Sequence, residues 1–475
     1  MSIFLQTLKV EGAVENPQVL QLDIFHAPNE YAVASLSLST DVEKAKTFLS
    51  QPSTDPIKIS AKDGDKDVVL FCGYLMNASF EIRADGNRLI LDLCDSAYLF
   101  DMQRMSKSFQ NLTAKYEDIL KDTLKTEVPD AEGTIRLNVA DKDIEKMIVQ
   151  LNETPWQFIK RMASQFSASV FTDLTAPTPL VTIGLPDEKA AVELKGGAVA
   201  YEYDDAQFNF LQVNSSLLSK DVRIAAEDFS VVNLSGYFPW LSLGAKVTWK
   251  DKTYYIKKID AQFINNMLRT NYTLVSKNAF VVPIESFEKL RGRIFRAQVK
   301  KVEKDKIQAH LFDIDKDYDK NSTTWFPFAT PYSSADGSGW YVMPEENDYV
   351  RIIFPTAEAG DAFASSSINS APLKEPHNKS LKAPGGRELL ITDTAIEIIA
   401  EHQKTFIKLD KEKGISVVSA KDITVYADGD ISFKSENGKI QMVAKKEITS
   451  QIGESHIKML NNQIDMGAGE VIIGS

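Results

Sequence analysis

Cysteine is nearly missing from this sequence: Cys72 and Cys94 are its two thiols in 475 residues. Two cysteines make neither a disulfide framework nor a cysteine zinc site. Both lie in apolar, strand-like runs, VVLFCGYL and LILDLCDS, where a thiol reads as a small buried hydrophobe. Histidine is almost as scarce. His26, His310, His377, His402 and His456 are all more than four residues apart, so no local metal-binding pair is expected. No stretch approaches the roughly 18 apolar residues of a membrane helix, and the opening MSIFLQTLKVEG lacks the basic start and long apolar run of a secretory signal. Positive charge is in deficit: 54 Lys and Arg against 66 Asp and Glu leave a net charge of −12, which argues against nucleic acid and anionic membranes as general partners.

Recognisable catalytic chemistry is missing too. There is no glycine-rich phosphate loop, no Ser-His-Asp arrangement, and nothing that places two carboxylates across a cleft. DIDKDYD, residues 313–319, imitates the start of a calcium loop with Asp313, Asp315, Asp317 and Asp319. Its sixth position is Tyr318 and its twelfth Thr324, where such a loop needs Gly and a bidentate Glu. It reads as a solvated acidic loop. No enzyme activity, cofactor or metal is expected.

What is present is strand-forming sequence, in a chain long enough for about two to four domains. QVLQLDIFHA, YAVASLSLST, PIKISAK, DVVLFCGYL and NRLILDLCD alternate apolar and polar residues. The period then changes to helical near 113–127, where Tyr116, Ile119, Leu120 and Leu124 share a face, and near 155–168, with Ile159, Met162, Ala163 and Phe166. Thr154 is a natural N-cap for the second helix, Pro155 suits its first position, and Gln157 completes a capping box. Strands resume to about 285, including a hairpin around Lys250 and Asp251. Residues 283–290 read as a hinge. Five strands in 290–370 fit a small barrel of the OB type, and the Pro/Asn/Ser/Gly-rich 371–387 reads as a linker.

Residues 388–475 carry a repeat. Apolar-x-apolar pairs begin at Leu389, Ile396, Ile407, Ile415, Ile423, Ile431, Ile440, Ile457, Ile464 and Val471; Ile448 continues the series with a polar partner, Ser450. Most steps are seven to nine residues, enough for one strand of about five residues and a corner. A single-chain β-helix needs on the order of 18 residues to go round its section. Three chains, each supplying one wall per layer, close the section most simply. The predicted inward residues are Ile407, Leu409, Ile415, Val417, Ile423, Val425, Ile431, Phe433, Ile440, Met442, Ile457, Met459, Ile464 and Met466. An antiparallel meander and a short-coil single-chain solenoid are the alternatives. His456 reads as a solvent-facing polar residue rather than part of a ring of three on a trimer axis.

Three stretches, in order, carry a family resemblance. LNETPWQFIKRMASQFSASVF holds Asn152, Glu153, Thr154, Trp156, Phe158, Arg161 and Ala163. It resembles the Asn-Glu-Thr-x-Trp-x-Phe-x-x-Arg-x-Ala segment of VgrG spike proteins and phage late-control D-type tail proteins. GSGWYVMPEENDYVRIIFP, with Trp340, Pro344, Glu345, Asp348 and Val350, resembles a segment of their OB domain, and the repeat is similar to their trimeric β-helical needle. The resemblance implies a mainly β fold: a hub (1–285) of two barrel-like subdomains with inserted helices, an OB neck, and an intertwined needle. It implies the central spike of a type VI secretion-like system, tailocin or phage tail, which joins the inner tube to a tip and punctures a membrane mechanically. The implied partners are two further copies of the chain, a hexameric inner-tube protein, baseplate proteins, a PAAR-like tip on Val471, Ile472, Ile473, Gly474 and Ser475, and transiently the target membrane, with no nucleic acid. Assembly would be cytoplasmic, with export on contraction and no signal peptide. A trimeric receptor-binding fibre or a β-helical polysaccharide-degrading tailspike is the alternative. Where the family commonly has Gly-Asp, this chain has Asn347 and Asp348, which puts the turn there in question. About 18 residues separate Asn369 from Gly386, too few for an inserted enzyme, and the chain stops after the last repeat, so an unadorned spike is expected.

Overall fold

The computed structural model describes residues 3–52, 54–127, 134–186, 190–367 and 375–472. The chain divides into two compact units, Met1–Ser370 and Ala371–Ser475, so the boundary falls where the linker was expected to begin. Among the described residues no helix is long and apolar enough to cross a membrane.

The first unit is organised by a twelve-stranded sheet. Its pivot is the strand Lys252–Ile264, long enough to serve two groups of neighbours. One side pairs with Met267–Val275; the other pairs with Lys246–Trp249 at one end and with Gln18–His26 at the other. The two expected hub subdomains therefore contribute to one nearly closed, barrel-like sheet. Alternation decides which side is core: Leu22, Ile24, Leu36, Leu38, Leu89, Leu91 and Leu93 are buried, on three strands paired edge to edge. The expected hairpin reverses at Lys250 and Asp251, both left-handed at φ 46° and 63°, the backbone that a two-residue turn between twisted strands requires.

The helices Tyr116–Glu127 and Pro155–Ser164 form, with the strands around them, a second core beside the sheet. The capping box predicted at Thr154 and Gln157 is present. The second helix stops four residues earlier than expected, because Ser167 turns left-handed (φ 52°); Phe166 still packs edge-on to Tyr116, 5.0 Å between ring centres. Two nine-residue helices, Val42–Ser50 and Asp205–Val213, were not anticipated. They bury two residues and one residue respectively, too few to mark a helical period.

Five strands, Arg293–Glu303, Lys306–His310, Phe326–Pro327, Tyr349–Phe354 and Phe363–Ser365, form the small barrel. Numbered in that sequence they pair in the ring order 3-2-1-4-5, and a parallel bridge from Phe328 to Ala364 joins the fifth back to the third. The expected hinge at 283–290 is instead pinned. Phe287 and Leu290 are buried in the barrel core beside Met147 and Val149 of the hub.

The second unit holds two antiparallel sheets. One runs Lys379–Lys382, Glu388–Ile391, Ala395–Glu401, Thr405–Asp410 and Gly414–Val418; the other runs Ile448–Ile452, Ser455–Leu460 and Gln463–Gly467. Part of the expected linker is thus a strand, Lys379–Lys382, which reverses through Gly385 and Gly386, both left-handed. Within one chain these strands follow each other as a meander, the arrangement weighed against the needle. Residues 419–447 carry the same repeat but form no strand in the single chain.

Candidate interaction surfaces

The Asn-Glu-Thr-x-Trp segment joins hub to barrel. Its capping box aims the helix Pro155–Ser164 so that Trp156 lies against Tyr31 (5.0 Å) and Phe158 stacks on Phe109 (5.6 Å). Seven residues after the cap, the Arg161 guanidinium reaches back to Glu153 in a bidentate pair, 2.9 and 2.7 Å, and donates to the Val149 carbonyl at 2.7 Å. Both side chains are less than 8% exposed, and the guanidinium carbon sits 4.0 Å from the centre of the Phe287 ring, in the segment that leads into the barrel.

The other face of this seam uses the acidic loop. Asp315, expected in solvent, is half-buried and accepts from the Ser108 amide and hydroxyl, both at 2.6 Å. Burial pushes its carboxyl above the ordinary range, against the pull of those two donors. Gln110 extends the seam: its carbonyl accepts from the amides of Thr323 and Thr324 and from the Thr324 hydroxyl. Asp313 Oδ1 accepts from both Nε and Nη2 of Arg296, at 2.9 and 2.7 Å, and its Oδ2 accepts from the Arg296 amide at 2.6 Å. Sequence could not find this seam, because Ser108 and Asp315 are 207 residues apart.

In the barrel, Val350 is a core residue, while Trp340 and Tyr341 are exposed on the loop before it. The turn in question keeps a left-handed residue: Asn347 has φ 72°, and Asp348 accepts from the Glu345 amide at 2.8 Å. Asn replaces Gly because its side chain tolerates that region better than most.

A buried polar cluster had no sequence signal at all. His26, Asp95 and Thr172 come from three separate strands or strand ends. The His26 ring contacts Thr172 Oγ1 at 3.0 Å, Thr172 donates to Asp95 at 2.5 Å, and Asp95 also accepts from the amides of Ala32 and Ala97. Because Thr172 spends its proton on Asp95, the His26 Nε2 must donate to it. Burial holds His26 down to about 4 and lifts Asp95 to about 6. Cys72 and Cys94 are buried and unpaired, as expected, and burial pushes the Cys94 thiol up to about 12. Among the described residues no three His, Cys, Asp or Glu side chains are grouped to hold a metal ion.

Eight of the predicted needle positions fall in the two sheets, where they line up in rows. Across the five-stranded sheet, Leu381, Leu389, Ile398, Ile407 and Val417 stand opposite one another in one row, and Ile391, Ile396, Leu409 and Ile415 form the next. In the second sheet Ile448, Met459 and Ile464 make one row, and Ser450, Ile457 and Met466 another. In the single chain the nine residues of the first two rows are 39–72% exposed. The opposite face is mixed: Lys408 lies between Glu397 at 3.0 Å and Asp410 at 3.4 Å, while Ile399, Phe406 and Val418 form an apolar row beside it, with Ile399 buried. In the second sheet His456 lies on the face opposite Ile457 and Met459, in the row of Gln451 and Gly467, where a Cβ at 467 would collide with its ring. Ile423, Val425, Ile431, Phe433, Ile440 and Met442 fall in 419–447 and are exposed. Of the predicted tip residues, Val471 and Ile472 are exposed, and Ile473, Gly474 and Ser475 lie outside the described residues.

No protein-family model matches the sequence, and a search of curated proteins finds no match. Solved structures do match. The Escherichia coli c3393 protein, described as a component of the type VI secretion system with structural similarity to the T4 bacteriophage tail proteins gp27 and gp5, aligns with a TM-score of 0.54 at 10% identity. The alignment covers 76% of this chain and 99% of that one. A chain of the Francisella PdpA-VgrG complex aligns in its lidded form with a TM-score of 0.53 at 12% identity, over 86% and 79% of the two chains. In the half-lidded form the values are 0.51 and 11%, over 88% and 87%. The likeness is one of fold: the chain has a VgrG-like spike fold.

Proposed function

We propose that this protein is the central spike of a contractile injection system and works as a homotrimer. The observation that carries the reading is the apolar face of the second unit. Its two rows lie at the spacing predicted for an inward-facing wall, and one chain leaves them in water. Contiguous exposed apolar surface of this kind marks an interface. Three copies that turn these faces inward share one dry core, and ladders between chains give the stiffness a mechanical spike needs. The closed five-stranded ring, of the OB type, is the neck. The seam of Arg161, Glu153, Ser108 and Asp315 couples it to the hub, so that axial force on the hub reaches the needle. The hub seats on a hexameric inner tube, baseplate proteins surround it, and a PAAR-like protein caps Val471 and Ile472. The role is structural rather than enzymatic: the chain punctures the membrane and leaves catalysis to cargo. Light scattering coupled to size exclusion should give one species near 159 kDa, three times the 53.0 kDa chain. A monomer with a full β signal sinks the reading.

A further inference from the structure

His26 is one hydrogen bond short. Its Nε2 donates to Thr172, so Nδ1 carries a lone pair and can only accept. The ring is 1% exposed, and among the described residues Nδ1 has no partner. A buried acceptor without a donor carries its full desolvation penalty. The ring lines a cavity of about 250 Å³. One water needs only about 10–15 Å³, so the cavity has room for a small molecule.

The floor of the cavity is a cross-strand row. Phe171 of Val170–Thr172 stands opposite Thr182 of Leu180–Ile183, and Thr182 stands beside Arg136 of Thr134–Leu137. Leu174, Trp240 and Leu243 add apolar wall. Charge is divided across this floor. Arg136 is exposed on the third strand, two strand spacings or about 10 Å from the first. Asp173 follows the first strand directly, and it lies close enough to His26 to favour the charged form of the ring. Its Oδ1 accepts from the Thr175 amide and hydroxyl, at 2.9 and 2.6 Å, while Oδ2 takes no hydrogen bond from the described residues.

We infer that this cavity binds a small aliphatic amino acid: its ammonium donates to His26 Nδ1 and Asp173, its carboxylate accepts from Arg136, and its side chain lies against Phe171, Leu174 and Leu243. A lone carboxylate would leave Nδ1 without a donor and stand beside Asp173. A lone amine would leave Arg136 unmatched. The walls come from the strand Gln18–His26, from 134–183 and from the loop at 240–243, so the bound molecule bridges three separate parts of the hub. The inference goes beyond the spike reading and does not depend on the number of copies.

Saturation-transfer NMR on the full-length protein tests it, with L-leucine as the probe. Two analogues each lack one charge: 3-methylbutylamine and 4-methylpentanoate. Leucine should receive saturation from wild type, and each analogue should bind about tenfold more weakly or worse. Arg136→Gln and Asp173→Asn should each raise the leucine Kd about tenfold; Asn at 173 can still accept from Thr175, and an unchanged melting temperature shows that the fold is kept. Three results overturn the inference: no transfer to leucine in wild type, either analogue bound as tightly as leucine, or leucine bound equally by wild type and both folded variants.

Discussion

At the scale of single residues, the seam between hub and barrel depends on one buried ion pair. Arg161 and Glu153 satisfy each other, and Arg161 also satisfies the Val149 carbonyl, so removing one partner strands a charge in the core. Arg161→Met should destabilise the hub by about 3–5 kcal/mol, and the double variant Arg161→Met with Glu153→Met should recover most of that. Urea unfolding of the two variants checks it; equal losses would mean that the pair matters through packing. The His26 cluster predicts a pH signature. The unfolded chain protonates His26 as pH falls below 6.5, while the folded chain resists to about 4, so stability from His26 is full above 6.5 and is lost through that window. Asp95 runs the other way: the folded carboxyl takes its proton near 6 and the unfolded one near 3.8, so stability grows as pH falls between them. In wild type the two slopes oppose each other. His26→Gln leaves the Asp95 slope alone, so relative to wild type the variant should gain on the order of 2 kcal/mol between pH 6.5 and 4.5. Parallel stability–pH curves for the two proteins would rule out the assignment.

At the scale of elements, turn chemistry separates what one chain can fold from what it cannot. Asn347 keeps the left-handed turn that precedes the strand Tyr349–Phe354. Asn347→Gly should therefore leave the melting of the first unit nearly unchanged, whereas Asn347→Val should cost about 1–2 kcal/mol. A calorimetric scan of both variants decides it. Strands were legible wherever alternation ran for six residues or more between turn residues, and the helix at Pro155 was legible from its cap. The helices at Val42 and Asp205 were not, since a nine-residue helix that buries one or two side chains has no period to read. Residues 419–447 read as strands, and in one chain they have no strand to pair with.

At the scale of the whole molecule, the exposed Val471 and Ile472 set the last prediction. Removing residues 471–475 should abolish co-purification with a PAAR-like tip protein while the trimer stays intact. Unchanged tip binding would move the docking face elsewhere, and loss of the trimer would show that these residues belong to its core instead.

By itself the sequence determined the strand-rich domain order, the hairpin at Lys250, the five-stranded barrel and the face shared by Ile407, Leu409, Ile415 and Val417. All of these rest on local periodicity and turn residues, which short-range backbone geometry enforces. Tertiary structure decided that both hub halves share one sheet, that Asp315 leaves solvent for Ser108, that residues 283–290 are pinned rather than hinged, and that His26 finds Thr172 and Asp95. Each of those joins residues far apart in the chain, and no periodicity records which distant partner will satisfy a buried polar group.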